Sequence, residues 1–415
     1  MQKQKSFVKT LDRDCIASIH KTLLGGERDL PPAWAAQGLT FRETGMRCAL
    51  LQHEGGPCGV LAAVQAFVVR ELLARGGPDG APPPPLTELS REAAGEALVA
   101  ALAGIIWAAR MGRLANVVVC KRPTLPPLRE AAGELTCTEC KSADDVAAAV
   151  RAGIGSFMRA KGPGVAMLLY SLMLTRGIAM VQRDADFPAT LIAPNGYCAQ
   201  ELVNLLLIGR AHSNVFDGEQ TVGEIGEDGT GGCRLRGIPR RSPVGFLSLF
   251  ERQGEPGSLL QVGSHLKRPM DAVFVLQSES HYSVLWAPGA APDLEPPKDD
   301  DDAPADGMEG YGDDGFEDDP DAAANGHAAE SNGGLAVDDG SAPAFRSLLG
   351  GSPFAGEFDL MYFDQMAERD EPVRLTLRRR ADEPPPPHLL PPLENVLLTR
   401  WPAASLDWNG NEVIL

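Results

Sequence analysis

The chain has 415 residues, of which 44% are apolar, so it is long enough for one large domain or two to three average ones with a sizeable core. Its eight cysteines show no regular spacing, and its first residues are polar and charged, which argues against a secreted, disulfide-rich protein. The longest apolar run, Val165 to Leu174, is too short to span a bilayer, so no membrane partner is expected. We expect free thiols in a reducing compartment, the cytoplasm with the nucleus as a further location.

The net charge of −18 is concentrated in one segment. Between Asp299 and Phe345 there are fifteen Asp and Glu and no Lys or Arg, which leaves −3 for the rest of the chain. Such a segment cannot bury enough apolar surface to offset chain entropy, so we predict a disordered acidic insert. A calcium-binding loop does not fit, because ligand positions counted back from Gly307 and Gly315 fall on Pro304 and Gly310. Nothing in this charge balance indicates a nucleic-acid partner.

In chain order, the first half is predicted to be mainly helical. Apolar spacing and composition predict helices over residues 15–24, 60–73, 86–110, 144–158 and 199–209, and a helix or buried segment over 165–174. Short strands are predicted at 39–41, 48–51, 116–120 and 177–181. The second half has an apolar element at 245–250 and predicted strands at 272–277, 281–286, 359–363 and 373–377.

The stretch from Gln52 to Gly59, Gln-His-Glu-Gly-Gly-Pro-Cys-Gly, has the features of a prepared nucleophile. Because Pro57 suits a first helical turn, Cys58 is predicted at a helix N-terminus, where unpaired N–H groups favour thiolate over thiol. The glycine turn would let the Gln52 amide point to the same place as the Cys58 N–H, and two such donors make an oxyanion hole. A small buried cysteine behind a glycine turn is the alternative.

A cysteine nucleophile needs a base, and His281 is the best placed of seven histidines. It stands at the start of a predicted strand, after a polar turn, whereas the others lie in a helix, in loops, in the acidic insert or in a proline run. Asp217 could orient such a histidine, although turn chemistry alone explains an Asp-Gly pair. The expected chemistry is proton transfer from thiol to imidazole, thiolate attack on a carbonyl, and hydrolysis of an acyl-thioester.

Cys137 and Cys140 form a C-x-x-C pair, which is found in zinc and redox sites. A structural zinc site needs four ligands, and the sequence has no second C-x-x-C pair and no pair of histidines at the spacing of zinc ligands. We therefore expect neither a metal nor a cofactor.

Residues 51–66 resemble the MINDY family of deubiquitinases, in the branch numbered three and four, and the Gln, Cys and His pattern is similar to papain-like cysteine proteases. The similarity covers nearly all of the chain except the insert. It continues through residues 168–177, 195–207, 214–218, 245–250, 261–264, 278–286, 358–364, 374–377, 399–402 and 407–410.

This resemblance implies hydrolysis of isopeptide bonds at the C-terminus of ubiquitin, with a preference for lysine-48-linked polyubiquitin chains as partners. By position it implies Cys58 as the nucleophile, His281 as the base and Gln52 as the oxyanion donor. Ser283 and Asp217 are candidates for a third member. Two alternatives stay open: a catalytically inactive ubiquitin-binding module, and another papain-like acyl transferase.

The predicted fold is α+β and papain-like. A helical part with Cys58 packs on a mostly antiparallel sheet with His281, and the site lies in the cleft between them. Residues 1–298 form the main part of the catalytic domain, 299–345 the disordered insert, and 346–415 the rest of the same domain. Trp401 and Trp408 are predicted to dock the C-terminal part on the body.

Overall fold

The computed structural model describes residues 7–75, 86–223, 232–253, 259–288, 357–367, 369–380 and 387–412. The acidic insert predicted at 299–345 lies outside these residues. Within them, the protein combines a helical part with three antiparallel or mixed sheets, which confirms the predicted α+β class.

Eight of the helices in the described residues lie in the first half of the chain. They are α1 Arg13–Leu24, α2 Pro32–Ala35, α3 Cys58–Ala74, α4 Arg91–Ala108, α5 Ala143–Phe157, α6 Gly164–Arg176, α7 Ile178–Asp184 and α8 Gln200–Ile208. Three short helices follow: α9 Phe250–Gln253, α10 Ser264–Lys267 and α11 Pro392–Leu398. Single 3₁₀ turns form at Leu128–Glu130 and Pro387–Leu389.

Local capping explains where several helices begin and end. The Asp12 side chain accepts from Cys15 N at 2.8 Å at the start of α1, and Ser90 does the same for Ala93 N at 3.1 Å in α4. α8 ends at Gly209 in the left-handed region, φ 75°. A Cβ at Gly209 would lie 2.2 Å from Ala108 O, so only glycine lets α8 end against α4.

The strands form three sheets. A three-stranded antiparallel sheet has the order β1 Phe7–Thr10, β3 Leu135–Cys140 and β2 Ala115–Cys120. A two-stranded sheet pairs β4 Glu219–Val222 with β5 Cys233–Arg236. The largest has six strands in the order β11 Ala404–Asp407, β10 Val373–Arg379, β9 Glu357–Phe363, β8 His281–Trp286, β7 Val273–Ser278 and β6 Gly245–Ser248. Its neighbours are antiparallel except β6 and β7.

The six-stranded sheet brings distant parts of the chain together. β8 pairs with β9 in the register Val284↔Phe363 and Trp286↔Met361, although residues 287–356 separate the two strands in sequence. Because the pairing is antiparallel, the loop after β9 comes beside the start of β8. α3 packs on β7 and β8, as predicted for a helical part lying on this sheet.

The apolar interior has two parts, one on each face of the large sheet. The larger part contains α3, α4, α6 and α8, and the smaller one lies between the sheet and α11. Trp401 belongs to the smaller part, where it is buried with its ring centroid 5.9 Å from that of Phe274. Trp408 packs against the same part of the core and donates to Glu394 Oε1 at 3.1 Å, so both tryptophans hold the last residues on the body as predicted.

Three strand predictions, at 39–41, 48–51 and 177–181, are wrong. Residues 178–184 form α7 because Gly177, at φ 86°, bends the chain by 85° after α6, and a buried Arg176–Asp184 ion pair of 2.7 Å joins the two helices. At 39–41 and 48–51 the structure has only the isolated bridge Phe41↔Leu50. Strand β3, which contains Cys137 and Cys140, was not predicted.

No single helix in the described ranges is both long and apolar enough to cross a membrane. The bent pair of α6 and α7 meets that length and composition only when the two helices are taken together.

Candidate active site

Cys58 is the first residue of α3, as predicted, with Pro57 as its N-cap. The turn before it requires glycine at position 56, where φ is 125° and a Cβ would lie 3.0 Å from Trp34 Nε1. Trp34 is itself fixed there, because its Nε1 donates to Gly196 O at 2.9 Å. The local sequence therefore sets the nucleophile candidate at a helix end that exposes backbone N–H groups.

The Cys58 sulfur is enclosed. The residue is 2% exposed, and its Sγ lies 3.9 Å from Gly56 O and 3.8 Å from Ser280 O in the turn between β7 and β8. The sequence predicts a cleft between helix and sheet, whereas in this conformation the turn closes over the sulfur.

A second thiol lies behind the first. Cys198 Sγ is 3.7 Å from the same Gly56 O, and burial together with nearby Cys58 raises the pKa of Cys198, which keeps it a thiol. A Cβ at Gly59 would lie 2.8 Å from Cys198 Sγ, so the glycine after Cys58 is needed for this packing.

His281 begins β8 directly after a two-residue turn. Glu279 in that turn takes the left-handed conformation, φ 54°, and Ser278 pairs with His281 across the hairpin. The His281 side chain is 33% exposed, and its Nε2 lies 2.9 Å from Asp364 Oδ1. Cys58 is close enough to the ring to raise the pKa of His281, and its Sγ lies 3.8 Å from the carbonyl oxygen of the preceding residue, Ser280. The structure thus brings together the predicted nucleophile and base, which are far apart in sequence.

Asp364 is the residue that sequence reasoning missed. Its Oδ1 accepts from His281 Nε2 at 2.9 Å and from Met366 N at 2.8 Å, which holds the carboxylate against the ring. Asp364 follows β9 directly and lies 83 positions from His281. An acidic residue directly after the strand predicted at 359–363 was the one available indication.

The surroundings of His281 favour its charged form. Burial lowers the pKa of the ring, but the hydrogen bond to Asp364, the nearby Cys58 side chain and the charge of Asp364 outweigh burial and raise the pKa to about 10. The ring is therefore an imidazolium at neutral pH.

Gln52 lies in the same loop as Cys58 and is 5% exposed. Its Nε2 donates to Glu54 O at 2.8 Å, while its Oε1 is buried without a hydrogen-bond partner. Its backbone N donates to Gln365 O at 3.3 Å, next to Asp364. The amide that the sequence assigns to an oxyanion hole thus makes a bond within its own loop in this conformation.

The other two candidates for a third member have different partners. The Asp217 carboxylate accepts from Ser264 N at 2.7 Å and His265 N at 2.9 Å, so it caps α10. Ser283 is buried on β8, where it faces Leu276 in the register with β7. The bonds of Asp217 explain that residue without His281.

The described part of the chain has no group of three or more His, Cys, Asp or Glu side chains that could hold a metal ion. Cys137 and Cys140 are both buried in β3. Burial raises the pKa of Cys137 to about 11 and that of Cys140 to about 12, so both stay protonated.

The family model and the curated relatives that match this chain belong to one family. The family model described as "Deubiquitinating enzyme MINDY-3/4, conserved domain" matches residues 21–291 and 346–410. The human "Probable ubiquitin carboxyl-terminal hydrolase MINDY-4" is 33% identical over 416 residues, covering 96% of this chain and 46% of the relative. The Xenopus tropicalis protein of the same name is 32% identical over 394 residues, which cover 92% of this chain and 43% of the relative. The human "Ubiquitin carboxyl-terminal hydrolase MINDY-3" is 31% identical over 281 residues, which cover 60% of this chain and 59% of the relative.

The chain spans about half the length of the curated MINDY-4 relatives that it matches, between 43% and 48%. No solved structure matches it. The match of the family model to both segments that flank residues 292–345 nevertheless includes every residue of the site described above. The chain therefore belongs to the MINDY-3/4 family of deubiquitinating enzymes.

Proposed function

We propose that this chain is a cysteine-dependent ubiquitin hydrolase that cleaves isopeptide bonds at the C-terminus of ubiquitin. The observation that supports the chemistry is that Cys58, at the N-terminus of α3, meets the His281–Asp364 pair: Cys58 Sγ lies 3.8 Å from Ser280 O, directly before His281, and His281 Nε2 lies 2.9 Å from Asp364 Oδ1. The substrate follows from the family and from the names of its relatives, which are ubiquitin carboxyl-terminal hydrolases.

The proposed reaction begins with a Cys58 thiolate beside a His281 imidazolium. The sulfur attacks the carbonyl carbon of the terminal glycine, and the carbonyl oxygen becomes an oxyanion. As that tetrahedral species collapses, the C–N bond breaks and the imidazolium gives its proton to the departing lysine amine. Neutral His281 then takes a proton from water, whose oxygen attacks the thioester and releases the thiolate and a free ubiquitin carboxylate.

Each remaining residue has a defined part in this scheme. The oxyanion would be met by backbone N–H groups at the start of α3 and by the Gln52 amide. For that, Gln52 Nε2 exchanges its bond to Glu54 O for one to the substrate. Asp364 is a positioning residue, because its carboxylate orients the ring and stabilises its positive charge.

The linkage preference, the papain-like arrangement of the site and the cellular location are also part of the proposal. We infer a preference for lysine-48-linked chains and a papain-like arrangement of the site from the resemblance in the residues around Cys58 and His281. A reducing location, the cytoplasm with the nucleus as a further one, suits a nucleophile that must stay a free thiol.

The test is hydrolysis of ubiquitin that has a fluorogenic amide at its C-terminus, followed by diubiquitins of each linkage. We expect release of the fluorophore, cleavage of the lysine-48 linkage before the others, and loss of both with Cys58→Ala. Binding of ubiquitin without cleavage would favour an inactive binding module. Transfer of ubiquitin to an added amine in preference to water would favour an acyl transferase.

A further inference from the structure

One side chain holds the loop that contains Asp364. This loop connects β9 to β10, and three of its backbone carbonyls converge on the Arg42 guanidinium. Nη1 donates to Arg369 O at 2.7 Å, and Nη2 donates to Gln365 O at 3.2 Å and to Ala367 O. A planar guanidinium can bridge several carbonyls at once, which an ammonium group on a flexible stem cannot do in a fixed geometry.

Arg42 is itself fixed. Its backbone N donates to Ala49 O at 2.8 Å, and its guanidinium carbon lies 5.3 Å from the ring centroid of Phe363. This cation–π contact matters because Phe363 is the buried last residue of β9, directly before Asp364. Arg42 therefore contacts the loop on both sides of Asp364 in sequence.

The segment that begins at Arg42 runs on to Gln52 and makes further bonds to the loop after β9. Thr44 Oγ1 donates to Asp370 Oδ1 at 2.8 Å, Met46 N donates to Asp370 O at 2.8 Å, and Gln52 N donates to Gln365 O. Residues 42–52 are thus joined at several points to residues 364–367 and 369–370. The Cys58 loop and the His281 partner are held relative to each other through these bonds.

We propose that Arg42 is a positioning residue of the reaction, which fixes the Asp364 carboxylate on the His281 ring by bridging three carbonyls of the loop after β9. This inference rests on the proposed function and extends it to a residue that contacts neither substrate nor the reacting atoms. Among the described residues, the titratable groups that face the His281 ring are Asp364, from that loop, and Cys58, from α3.

The competing explanation is that Arg42 only stabilises the fold. Arg241 provides a matched control, because it also donates to two loop carbonyls, Arg268 O and Pro269 O. Those carbonyls precede β7 at the end of the hairpin where Val273 pairs with Trp286, away from His281. Loss of Arg241 should therefore cost stability without acting through Asp364.

The first experiment measures kcat/KM on the fluorogenic ubiquitin amide for Arg42→Met in two backgrounds, wild type and Asp364→Asn. We expect a loss of about 10-fold in wild type, because the loop no longer holds the carboxylate in place. In Asp364→Asn we expect less than about 2-fold, because coupled residues are not additive. Arg241→Met should change kcat/KM by the same factor in both backgrounds. An equal loss for Arg42→Met in both backgrounds would overturn the proposal.

The second experiment does not depend on turnover. The pKa of His281 is measured by NMR titration of histidine-labelled protein, with its resonance assigned by comparison with His281→Ala. Arg42→Met should lower the pKa of His281 toward its value in Asp364→Asn, and Arg241→Met should leave it unchanged. An unchanged pKa in Arg42→Met contradicts the proposal. Should Arg42→Met fail to fold, Arg42→Lys replaces it, since it keeps the positive charge but cannot bridge three carbonyls.

The two experiments separate the two proposals. If the wild-type chain hydrolyses no ubiquitin derivative, the proposed function fails, and the titration still decides whether Arg42 fixes Asp364 on His281.

Discussion

The two sides of the candidate site are built in different ways. The Cys58 side comes from one short stretch, in which a glycine turn, a proline and a helix start follow one another within residues 52–60. The His281 side needs a strand, a hairpin turn and Asp364 from a loop 83 positions further on. The first side depends on local backbone chemistry, and the second depends on the register of a sheet.

The two sides also differ in exposure. Cys58 is 2% exposed behind the Ser280 carbonyl, whereas the His281 side chain is 33% exposed. The nucleophile candidate is therefore positioned by its own loop but buried, whereas the base is partly exposed and depends on a partner distant in sequence. The two sides should therefore respond differently to mutation and to pH.

The largest expected effect is on the Cys58 side. Cys58→Ala should lower hydrolysis of the fluorogenic ubiquitin amide by about 10⁴-fold or more, because nothing else can form the thioester. The matched control is Cys233→Ala, which removes an exposed thiol on β5 and should leave the rate as in wild type. Substantial turnover by Cys58→Ala would show that Cys58 is not the nucleophile.

Next comes Gln52, which tests whether the Cys58 loop also supplies an oxyanion donor. Gln52→Ala should lower kcat by about 10²-fold with a smaller change in KM, since the bond forms only with the oxyanion. Gln182→Ala, on α7, removes an amide that bonds Thr22 and is expected to be neutral. Equal kcat for Gln52→Ala and wild type would show that backbone N–H groups suffice.

A comparable or smaller effect is expected on the His281 side, where it should also depend on pH. Asp364→Asn should lower kcat/KM by about 10- to 100-fold, because the ring loses its charged partner. The raised pKa of about 10 keeps His281 protonated, so activity in wild type should fall only as pH approaches that value. In Asp364→Asn the alkaline decline should move to lower pH. A pH–rate profile with an unmoved alkaline limb would argue against this role.

The smallest expected effect is on stability. The pKa of His281 is raised from its ordinary value of 6.5 to about 10, so the protonated ring contributes stability that is fully present below about pH 6.5. That contribution is lost as pH rises to about 10. The melting temperature of wild type should thus exceed that of Asp364→Asn most clearly at pH 6, and the difference should shrink by pH 10. A constant difference across this range would mean that the ion pair does not set it.

The difference between the two sides also explains what sequence alone could predict. The start of α3 at Cys58 follows from proline and glycine preferences, and the strand start at His281 follows from an apolar run after a polar turn. Asp364 could not be identified, because its place beside His281 depends on the β8–β9 register, Val284↔Phe363, across residues 287–356. No local pattern specifies that register.

The same limit applies to the fold. The α+β class and most of the helices follow from apolar periodicity. The strand predicted at 177–181 fails because the buried Arg176–Asp184 pair, a tertiary contact, favours α7. The enclosure of Cys58 is likewise a tertiary property, since it depends on where the Glu279–Ser280 turn packs.

The most direct test of the central claim is labelling with ubiquitin that has an electrophile at its C-terminus, followed by mass spectrometry of the adduct. We expect one covalent ubiquitin on Cys58, much slower labelling in His281→Ala, and none in Cys58→Ala. An adduct on another cysteine, or undiminished labelling of Cys58→Ala, would show that Cys58 is not the nucleophile.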